Sequence, residues 1–330
     1  MTKILMLSVL LLCSCAGGDK FKVIAHRGLP RLFPEHTLEG LRAVLKYPVH
    51  YVEPDVVLTK DDVPVILHDI HLDSTTNVAS VFPKKVRADG RFYAADLTLA
   101  ELKTLRANHR INLKTKKAAI GSRVPISGSQ YLVPTLSEFM TVVQNHNEVE
   151  RTSVGIYLEI KAPGFHKKMG KDITNIVYEK ISAFSKIHRE TPFIIQCFDD
   201  KTLIRLKNVI KTRIPLVQLI GENSWAMNKI DYNKMKTKEG LTSISKYAAG
   251  VGPWIPHVLT YKDGEVSATP FSEWAHEVGL VIHPYTLRND ALPKFIKDEK
   301  QLVELLMNEA RVDGVFTDNA HTTLESIDLL

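Results

Sequence analysis

Residues 23–69 begin VIAHRGLPRLFPEHT (23–37), continue through YVEPDVVLT (51–59) and end VPVILHD (63–69). Three short apolar runs in this stretch lead directly into ionisable side chains, at His26, at Glu53 and at His68. The carboxyl ends of parallel strands meet at one edge of a sheet, where polar groups converge. We therefore expect these side chains to lie together at the ends of neighbouring strands.

The rest of the chain alternates between strand-like and helix-like segments. Apolar runs of strand length occur eight times, at 22–25, 49–57, 154–160, 193–196, 215–220, 248–251, 280–283 and 314–316. Segments with apolar residues three and four apart lie at 37–46, 136–145, 172–184, 201–210, 272–278 and 301–308. Alternating strands and helices indicate parallel pairing with right-handed crossovers, and eight such units predict an α/β fold of the closed (β/α)8 TIM barrel type.

One segment after the second strand is too long for a barrel loop. Residues 70–134 are rich in Lys, Arg and Asp and show weak periodicity apart from the helix-like 99–105. They predict a small subdomain inserted after strand 2, at the mouth of a barrel that spans residues 21–330. A second polar stretch, 221–242, contains Trp225 and is either a pocket wall or a plain surface connection.

The first fifteen residues, MTKILMLSVLLLCSC, predict a lipoprotein signal peptide. A lysine precedes an apolar run too short to span a bilayer, and LCSC (12–15) resembles a lipobox. Cys15 is the expected lipidation site and residues 16–20 the tether, so we expect an exported protein of the periplasm or cell envelope, lipid-anchored to a membrane. After cleavage Cys197 would be the sole cysteine, and no internal disulfide is expected.

The net charge and the absence of several motifs argue against some classes of function. The formal net charge of +6 gives weak support for an anionic ligand. Lysine and arginine are scattered in short clusters, so nucleic acid is not an expected partner. The sequence contains no GxxxxGK loop, no CxxC pair, no HExxH and no GxSxG, which argues against a P-loop nucleotide site, a zinc site and a serine hydrolase.

Carboxylates at strand ends predict a metal site. Side chains two residues apart on a strand share one face, so Glu53 and Asp55 point the same way. In GIYLEIK (155–161), Tyr157, Glu159 and Lys161 share the face that should point into a barrel, because the alternate apolar residues would pack on helices. Glu53, Asp55 and Glu159 could then meet around one hard divalent cation, with calcium expected ahead of magnesium.

Basic residues beside these acids complete a plausible centre for phosphate ester chemistry. An isolated Glu-x-Asp pair is more often engaged in ion pairs, but His26, His68 and Arg27 at other strand ends favour a site. The histidines suit general acid and base catalysis near neutral pH. Arg27 and Lys161 suit phosphoryl oxygens, the arginine as a planar fork and the lysine as a point charge.

Aromatic residues follow three of the later strands. Phe198, Trp254 and Tyr285 each stand where a pocket wall is expected in a barrel, and each could equally belong to the core.

Pro54, between the two metal-site acids, predicts that strand pairing ends there because proline lacks a backbone N–H.

Several motifs in order, HRG, PEHT, ExD, HD, LEIK, QCFD, HPYTLR and DGVFTDN, resemble the glycerophosphodiester phosphodiesterase family. The resemblance is strongest to its bacterial periplasmic or lipoprotein branch and runs from about residue 21 to the C-terminus. It implies a TIM barrel with a small inserted domain. It also implies a divalent metal held by Glu53, Asp55 and Glu159, with His26 and His68 as the catalytic acid and base. Arg27 and Lys161 would bind the phosphate, and Glu35 would belong to the site. Pro54 replaces a glutamine often found in the family, and residues 112–132 follow no family pattern.

The expected activity is hydrolysis of glycerophosphodiesters, such as glycerophosphocholine and glycerophosphoethanolamine, to sn-glycerol 3-phosphate and an alcohol. The nucleophile is either water or the substrate's own 2-hydroxyl, and the sequence does not separate these routes. One alternative is a lipid-anchored surface binding protein that retains the barrel without catalysis. Another is a hydrolase of a related polymeric or lipid phosphodiester.

Overall fold

The computed structural model describes residues 21–123, 130–225 and 229–330. The predicted signal peptide, the tether and Cys15 lie outside the described residues. Within the described ranges, no helix combines the length and apolar character needed to cross a membrane.

The described residues form twelve strands and twelve α-helices. The strands are β1 (Lys22–His26), β2 (Tyr51–Glu53), β3 (Asp55–Leu58), β4 (Pro64–Ile66), β5 (Gly155–Ile160), β6 (Phe193–Cys197), β7 (Leu216–Ile220), β8 (Gly250–Pro253), β9 (Leu259–Lys262), β10 (Glu265–Ala268), β11 (Val281–Ile282) and β12 (Gly314–Thr317). The helices are α1 (Leu38–Val44), α2 (Val78–Val81), α3 (Leu99–Leu102), α4 (Leu136–Glu150), α5 (Pro163–Lys168), α6 (Ile173–Ile187), α7 (Asp200–Arg205), α8 (Tyr232–Met235), α9 (Lys238–Ile244), α10 (Phe271–Glu277), α11 (Glu299–Glu304) and α12 (Ala320–Asp328). Single π turns extend α7 and α11, at Leu206–Ile210 and Leu305–Glu309.

Parallel pairing joins the barrel strands in the order β12, β1, β2, β5, β6, β7, β8 and β11. Main-chain hydrogen bonds connect the two ends of this order. The N–H of Asp313 donates to the carbonyl oxygen of Ile282 at 3.0 Å, and the N–H of Phe316 donates to that of Pro284 at 3.0 Å. The predicted (β/α)8 barrel is therefore confirmed, with β9 and β10 as a separate antiparallel hairpin.

The second barrel strand is not the single run predicted at 49–57. It divides at Pro54 into β2 and β3, and the pairing with β1 ends at Glu53 while the pairing with β5 continues at Asp55. Proline lacks only the N–H, so its carbonyl oxygen still accepts a hydrogen bond from the Glu159 N–H at 2.9 Å. The end of pairing predicted at Pro54 therefore applies to one neighbour strand only.

Two apolar layers sandwich the barrel wall. Tyr157 and Phe316 lie in the inner cluster, enclosed by the strands. Ile156 and Leu158 lie in the outer cluster with residues of the surrounding helices. This confirms the face assignment for GIYLEIK. Complete burial of such side chains contributes about 1.5–3 kcal/mol each relative to exposure.

The inserted segment has a core of its own. After β3 the chain turns back as β4, which pairs antiparallel to β3. The apolar residues of the segment pack on these two strands in a second cluster, formed by Val57, Val65, Leu67, Leu72, Val78, Phe92, Ala94, Leu97, Leu102, Leu105 and Val133. Helices in the segment are single turns, so the helix predicted at 99–105 is only α3.

The stretch 221–242, predicted as irregular, contains α8 and most of α9. Asp231 and Thr237 cap these helices by accepting N–H groups of their first turns. Few apolar residues anchor these two helices, chiefly Tyr232, Leu241 and Ile244. Such short polar helices carry little periodicity, which is why the apolar pattern does not reveal them.

Candidate active site

A cavity of about 1770 Å³ opens at the carboxyl ends of the barrel strands. The predicted site residues that line it are His26, Arg27, Glu53, His68, Glu159, Lys161, Phe198, Trp254 and Tyr285. The two remaining predicted residues lie close by: Asp55 is buried beside Glu159 on the next strand, and Glu35 contacts Arg27. The fold thus gathers residues from both ends of the chain into one site.

Three buried carboxylates converge in this site. Asp55 of β3 lies opposite Glu159 of β5 in the strand register, and Glu53 ends β2. One oxygen from each of the three lies within 4.8 Å of the other two. Asp55 Oδ1 accepts no hydrogen bond from any described residue, although Lys161 Nζ lies 3.5 Å away.

Burial and mutual repulsion disfavour the simultaneous ionisation of all three carboxylates. Burial, followed by the charge of Asp55, raises the pKa of Glu53 well above its usual value. Burial raises the pKa of Glu159 to about 8, with Asp55 adding to the rise and Lys161 opposing it. Asp55 differs: burial would raise its pKa, but Lys161, His68 and Arg27 hold it well below the usual range. An all-oxygen donor set with a buried unpartnered oxygen fits a hard divalent cation.

Neighbouring side chains orient the carboxylates. The ring of His36 meets Asp55 Oδ2 through Nε2 at 2.7 Å, and Gln196 donates from Nε2 to Glu53 Oε1 at 3.1 Å. The backbone N–H of Arg27 donates to Glu53 Oε2 at 3.2 Å. Such partners commonly fix metal ligands in place.

The turn after β1 aims Arg27 at the carboxylates. Arg27 and Gly28 both have positive φ, +57° and +88°, so the chain reverses sharply as it leaves the strand. A Cβ added at Gly28 would lie 3.1 Å from the carbonyl carbon of Gly40, so the backbone of this turn packs closely against α1. The Arg27 side chain then places Nε 3.3 Å from Asp55 Oδ2 and donates from Nη1 to Glu35 Oε1 at 3.2 Å.

Lys161 supplies a second fixed positive charge. Its Nζ lies 2.7 Å from Glu159 Oε1 and 5.7 Å from the centre of the Phe198 ring. Burial alone would lower the pKa of Lys161, but Glu159 and Asp55 outweigh it and raise the pKa. The ammonium group therefore stays charged at neutral pH.

His26 is held by a carboxylate from the last barrel strand's end. Its Nδ1 lies 2.5 Å from Asp318 Oδ1, and both residues are buried. Burial, with a contribution from Arg27, lowers the pKa of His26 to about 4 despite the opposing effect of Asp318. A pKa this low favours the neutral ring at pH 7.

His68 repeats the arrangement with its neighbour in sequence. Its Nδ1 lies 2.6 Å from Asp69 Oδ1, and its side chain is 30% exposed in the cavity wall. Burial, then Arg27 and Lys161, lower the pKa of His68. In both rings a carboxylate faces Nδ1, so the neutral tautomer carries its proton there and leaves Nε2 to accept or return a proton.

Aromatic side chains form one wall of the cavity. The Tyr285 hydroxyl donates to the carbonyl oxygen of Ile220 at 2.9 Å, and the ring packs edge-on against Phe198 at 5.9 Å. Trp254 is 37% exposed and packs at 5.5 Å against Trp225, which also lines the cavity. The stretch 221–242 therefore does contribute to the pocket wall, through Trp225.

Sequence reasoning missed several partners of the site. Asp318 lies in the DGVFTDN motif, but only its position in the fold shows that it meets His26. Gln196 lies within QCFD and gives no separate signal. Arg110 and Arg123 come from the inserted segment, which has no periodic pattern to identify them.

Taken together, the cavity holds a carboxylate cluster suited to a divalent cation, two fixed positive charges and two histidines with a free Nε2. Groups of these kinds could supply charge neutralisation, orientation and proton transfer in a displacement at phosphorus.

Known proteins resemble this chain in sequence and in fold. A family model described as the glycerophosphoryl diester phosphodiesterase family matches residues 26–322. A glycerophosphodiester phosphodiesterase of Haemophilus influenzae is 33% identical over 329 residues, which cover 93% of this chain and 90% of that relative.

Solved structures show the same barrel. A structure from Silicibacter pomeroyi matches with a TM-score of 0.68 and 22% identity, covering 94% of this chain and 95% of that one. An Oleispira antarctica phosphodiesterase in complex with the product sn-glycerol-3-phosphate matches with a TM-score of 0.60 and 21% identity, covering 93% and 96%. The family match and the Haemophilus relative decide the assignment: this chain belongs to the glycerophosphoryl diester phosphodiesterase family and is an enzyme.

Proposed function

We propose that this enzyme uses one divalent cation and two histidines to hydrolyse glycerophosphodiesters to sn-glycerol 3-phosphate and an alcohol. Glycerophosphocholine and glycerophosphoethanolamine are the substrates we expect. The observation that carries the proposal is the meeting of Glu53, Asp55 and Glu159 at the wall of the cavity that His26 and His68 also line. The Oleispira phosphodiesterase of the same fold was solved with the proposed product.

The cation would be held by Glu53, Asp55 and Glu159, with calcium ahead of magnesium. When bound, it supplies Lewis acid polarisation of the phosphoryl group and neutralises developing negative charge. Glu53 and Glu159, whose pKa values are raised by burial and by the charge of Asp55, would be held in their ionised form by such a cation.

Arg27 and Lys161 would bind the phosphoryl oxygens. Both lie at the cavity surface, and both now neutralise carboxylates of the site. A substrate phosphate also presents anionic oxygens, so Arg27 and Lys161 can each exchange a carboxylate contact for a phosphate contact or keep both. Arginine presents two parallel donors to such an oxyanion, and lysine presents a point charge.

The histidines would carry the protons. Nε2 of one ring takes the proton of the attacking hydroxyl as its oxygen forms the bond to phosphorus. The other ring acts as the acid in its doubly protonated form, which the negative charge of the bound phosphodiester favours, and it gives its Nε2 proton to the alcohol oxygen as the bond from phosphorus to that oxygen breaks. Because both rings hold Nδ1 against a carboxylate, the side on which the alcohol leaves decides which histidine is the acid. The attacking hydroxyl is water or the substrate's 2-hydroxyl, the latter giving a cyclic phosphate that water then opens.

The test is release of sn-glycerol 3-phosphate from glycerophosphocholine. We expect chelation to abolish it and calcium to restore it, and His26→Ala and His68→Ala each to lower kcat by about 10²- to 10⁴-fold, the range of general acid–base catalysis. His188→Ala is the control, because His188 lies at the C-terminal end of α6 outside the cavity. Undiminished activity in His26→Ala, or equal rates with and without chelator, would contradict the proposal. Phosphorus NMR distinguishes the two nucleophiles by the presence or absence of a cyclic phosphate.

We also propose export and lipid anchoring at Cys15, which would make a membrane the partner of the enzyme. The support is the lipobox-like LCSC sequence alone. Radiolabelled palmitate should enter the full-length protein in cells, and Cys15→Ser should lose both the label and the membrane fraction. Label retained by Cys15→Ser would refute the anchor.

The size of the cavity supports a second candidate, a larger polymeric or lipid phosphodiester. About 1770 Å³ exceeds the roughly 300–1,000 Å³ of common small-molecule pockets. Comparing kcat/KM on glycerophosphocholine, lysophosphatidylcholine and poly(glycerol phosphate) separates these substrates. A surface binding protein without catalysis is disfavoured because every expected metal ligand and histidine is present.

A further inference from the structure

His26 and His68 each begin a chain of three side chains that ends in the inserted segment. His26 contacts Asp318, and Arg123 Nη2 lies 2.8 Å from Asp318 Oδ2. His68 contacts Asp69, and Arg110 donates from Nη1 to Asp69 Oδ2 at 2.5 Å. In both chains one carboxylate oxygen receives the histidine and the other receives an arginine.

Arg123 is itself locked in place. Its Nε and Nη2 donate to the two oxygens of Asp290, both at 2.8 Å, and Ser122 Oγ donates to the same carboxylate at 2.9 Å. Arg123 is only 8% exposed, and it is absent from the described residues that line the large cavity. Its guanidinium bridges Asp290 and Asp318 beside a second cavity of only about 70 Å³, which is far smaller than the roughly 300–1,000 Å³ of common ligand pockets and is too small to admit a glycerophosphodiester.

Asp318 has little freedom to rotate in this setting. Its Oδ2 receives Arg288 Nε at 2.8 Å as well as Arg123, while Oδ1 faces the ring of His26. A carboxylate held on one oxygen by two guanidinium groups presents the other oxygen in a fixed direction. That direction sets the plane and the tautomer of the imidazole.

Arg110 plays the corresponding part for His68. Besides Asp69 it binds Glu35, from Nη2 at 2.6 Å and from Nε at 3.1 Å. Ser74 is a further neighbour, with Oγ 3.2 Å from Arg110 Nη1. Unlike Arg123, Arg110 does line the cavity, so its removal would also disturb substrate contacts.

We propose that the inserted segment positions both histidines, Arg123 acting on His26 through Asp318 and Arg110 acting on His68 through Asp69. The inference rests on the proposed roles of the two histidines. Arg123 is the decisive residue, because it reaches the reaction only through Asp318. Loss of such outer partners costs about 10- to 100-fold in activity at other sites, and a displacement of 1 Å costs about 10²-fold.

The test compares Arg123→Gln in two backgrounds, using the full chain. In the wild type we expect kcat on glycerophosphocholine to fall about 10- to 100-fold with KM within about twofold, because orientation is lost and substrate contacts are kept. In Asp318→Asn, which already releases His26, the same change should lower kcat by less than about threefold. An equal loss in both backgrounds would mean that Arg123 supports the structure generally, and would overturn the proposal.

Arg87→Gln is the matched control. Arg87 also belongs to the inserted segment and also forms a paired contact, from Nε and Nη2 to Asp96 at 2.7 Å each. Its contacts do not include Asp69 or Asp318, so we expect kcat to stay at the wild-type value. If Arg123→Gln does not fold, Arg123→Lys carries the same comparison, because lysine keeps the charge but cannot bridge two carboxylates as a planar fork.

The His26→Ala variant distinguishes a failure of the positioning role of Arg123 from a failure of the proposed chemistry. An inactive His26→Ala with full kcat in Arg123→Gln would overturn the positioning role and leave the proposed chemistry standing. Full activity in His26→Ala would instead refute the proposed chemistry.

Discussion

Replacement of Glu159 by glutamine provides a test of the metal site that does not depend on catalysis. The variant keeps the shape of the side chain and removes one of the three charges that lie within 4.8 Å of one another. We expect calcium to stabilise the wild-type protein against unfolding and to have almost no effect on Glu159→Gln, because the folded wild type binds the cation and the variant binds it far more weakly.

The size of the effect follows from linkage and chain length. A ligand at 100 times its Kd adds about 3 kcal/mol to the free energy of unfolding. Unfolding entropy of about 2.1 cal/mol/K per residue gives roughly 0.7 kcal/mol/K for a chain of 330 residues. The melting temperature of the wild type should therefore rise by about 4 °C.

Differential scanning calorimetry of chelator-stripped protein, with and without calcium, measures this shift. Without metal, Glu159→Gln should melt within a few degrees of the wild type, because the relief of one crowded buried carboxylate is opposed by the loss of the Lys161 contact at 2.7 Å. Glu304→Gln, an exposed glutamate of α11, should respond to calcium like the wild type. A calcium shift of the same size in Glu159→Gln, or none in the wild type, would refute the assignment of the three carboxylates.

Three further predictions concern other parts of the structure. Burial lowers the pKa of His283 to about 4, so between pH 6.5 and 4 the unfolded chain binds a proton at this residue and the folded protein does not. The free energy of unfolding should therefore decrease as the pH drops from 6.5 to 4. In His283→Gln, urea unfolding should show a smaller decrease, by at most about 3 kcal/mol. Gly28→Ala should lower the free energy of unfolding by about 1–2 kcal/mol in urea titration, because φ is +88° and the added Cβ lies 3.1 Å from the Gly40 carbonyl carbon; an unchanged midpoint would contradict the strain. Trp254→Ala should raise KM for glycerophosphocholine about tenfold with kcat unchanged, since Trp254 lines the cavity away from the histidines' carboxylate partners; a fall in kcat alone would argue against a binding role.

Local sequence rules account for the elements of the barrel. Thr37 and Thr135 precede helices and cap them, each accepting the N–H of the residue three positions later. The period of two in GIYLEIK assigns Tyr157 to the interior and places Glu159 in the site. These features depend on neighbours within a few residues, so composition and spacing suffice to predict them.

Contacts that depend on residues far apart along the chain could not be predicted from local patterns in the sequence. Asp318 meets His26 from 292 positions away along the chain. Pro54 interrupts pairing with one neighbour strand and permits it with the other, which depends on which side of β3 each neighbour lies. Neither outcome has a periodic signature.

The alternation of strands and helices, the closed barrel and the three acids and two histidines at its mouth are all predictable from the amino-acid order, because strand ends and side-chain faces follow from periods of two and of three to four. The contacts that hold those groups in place are visible only in the folded molecule. Arg110 and Arg123 lie in a segment with single-turn helices, and they reach Asp69 and Asp318 only after that segment folds on its own apolar core against the barrel. Contacts between distant segments depend on how the elements pack, and no local pattern encodes them.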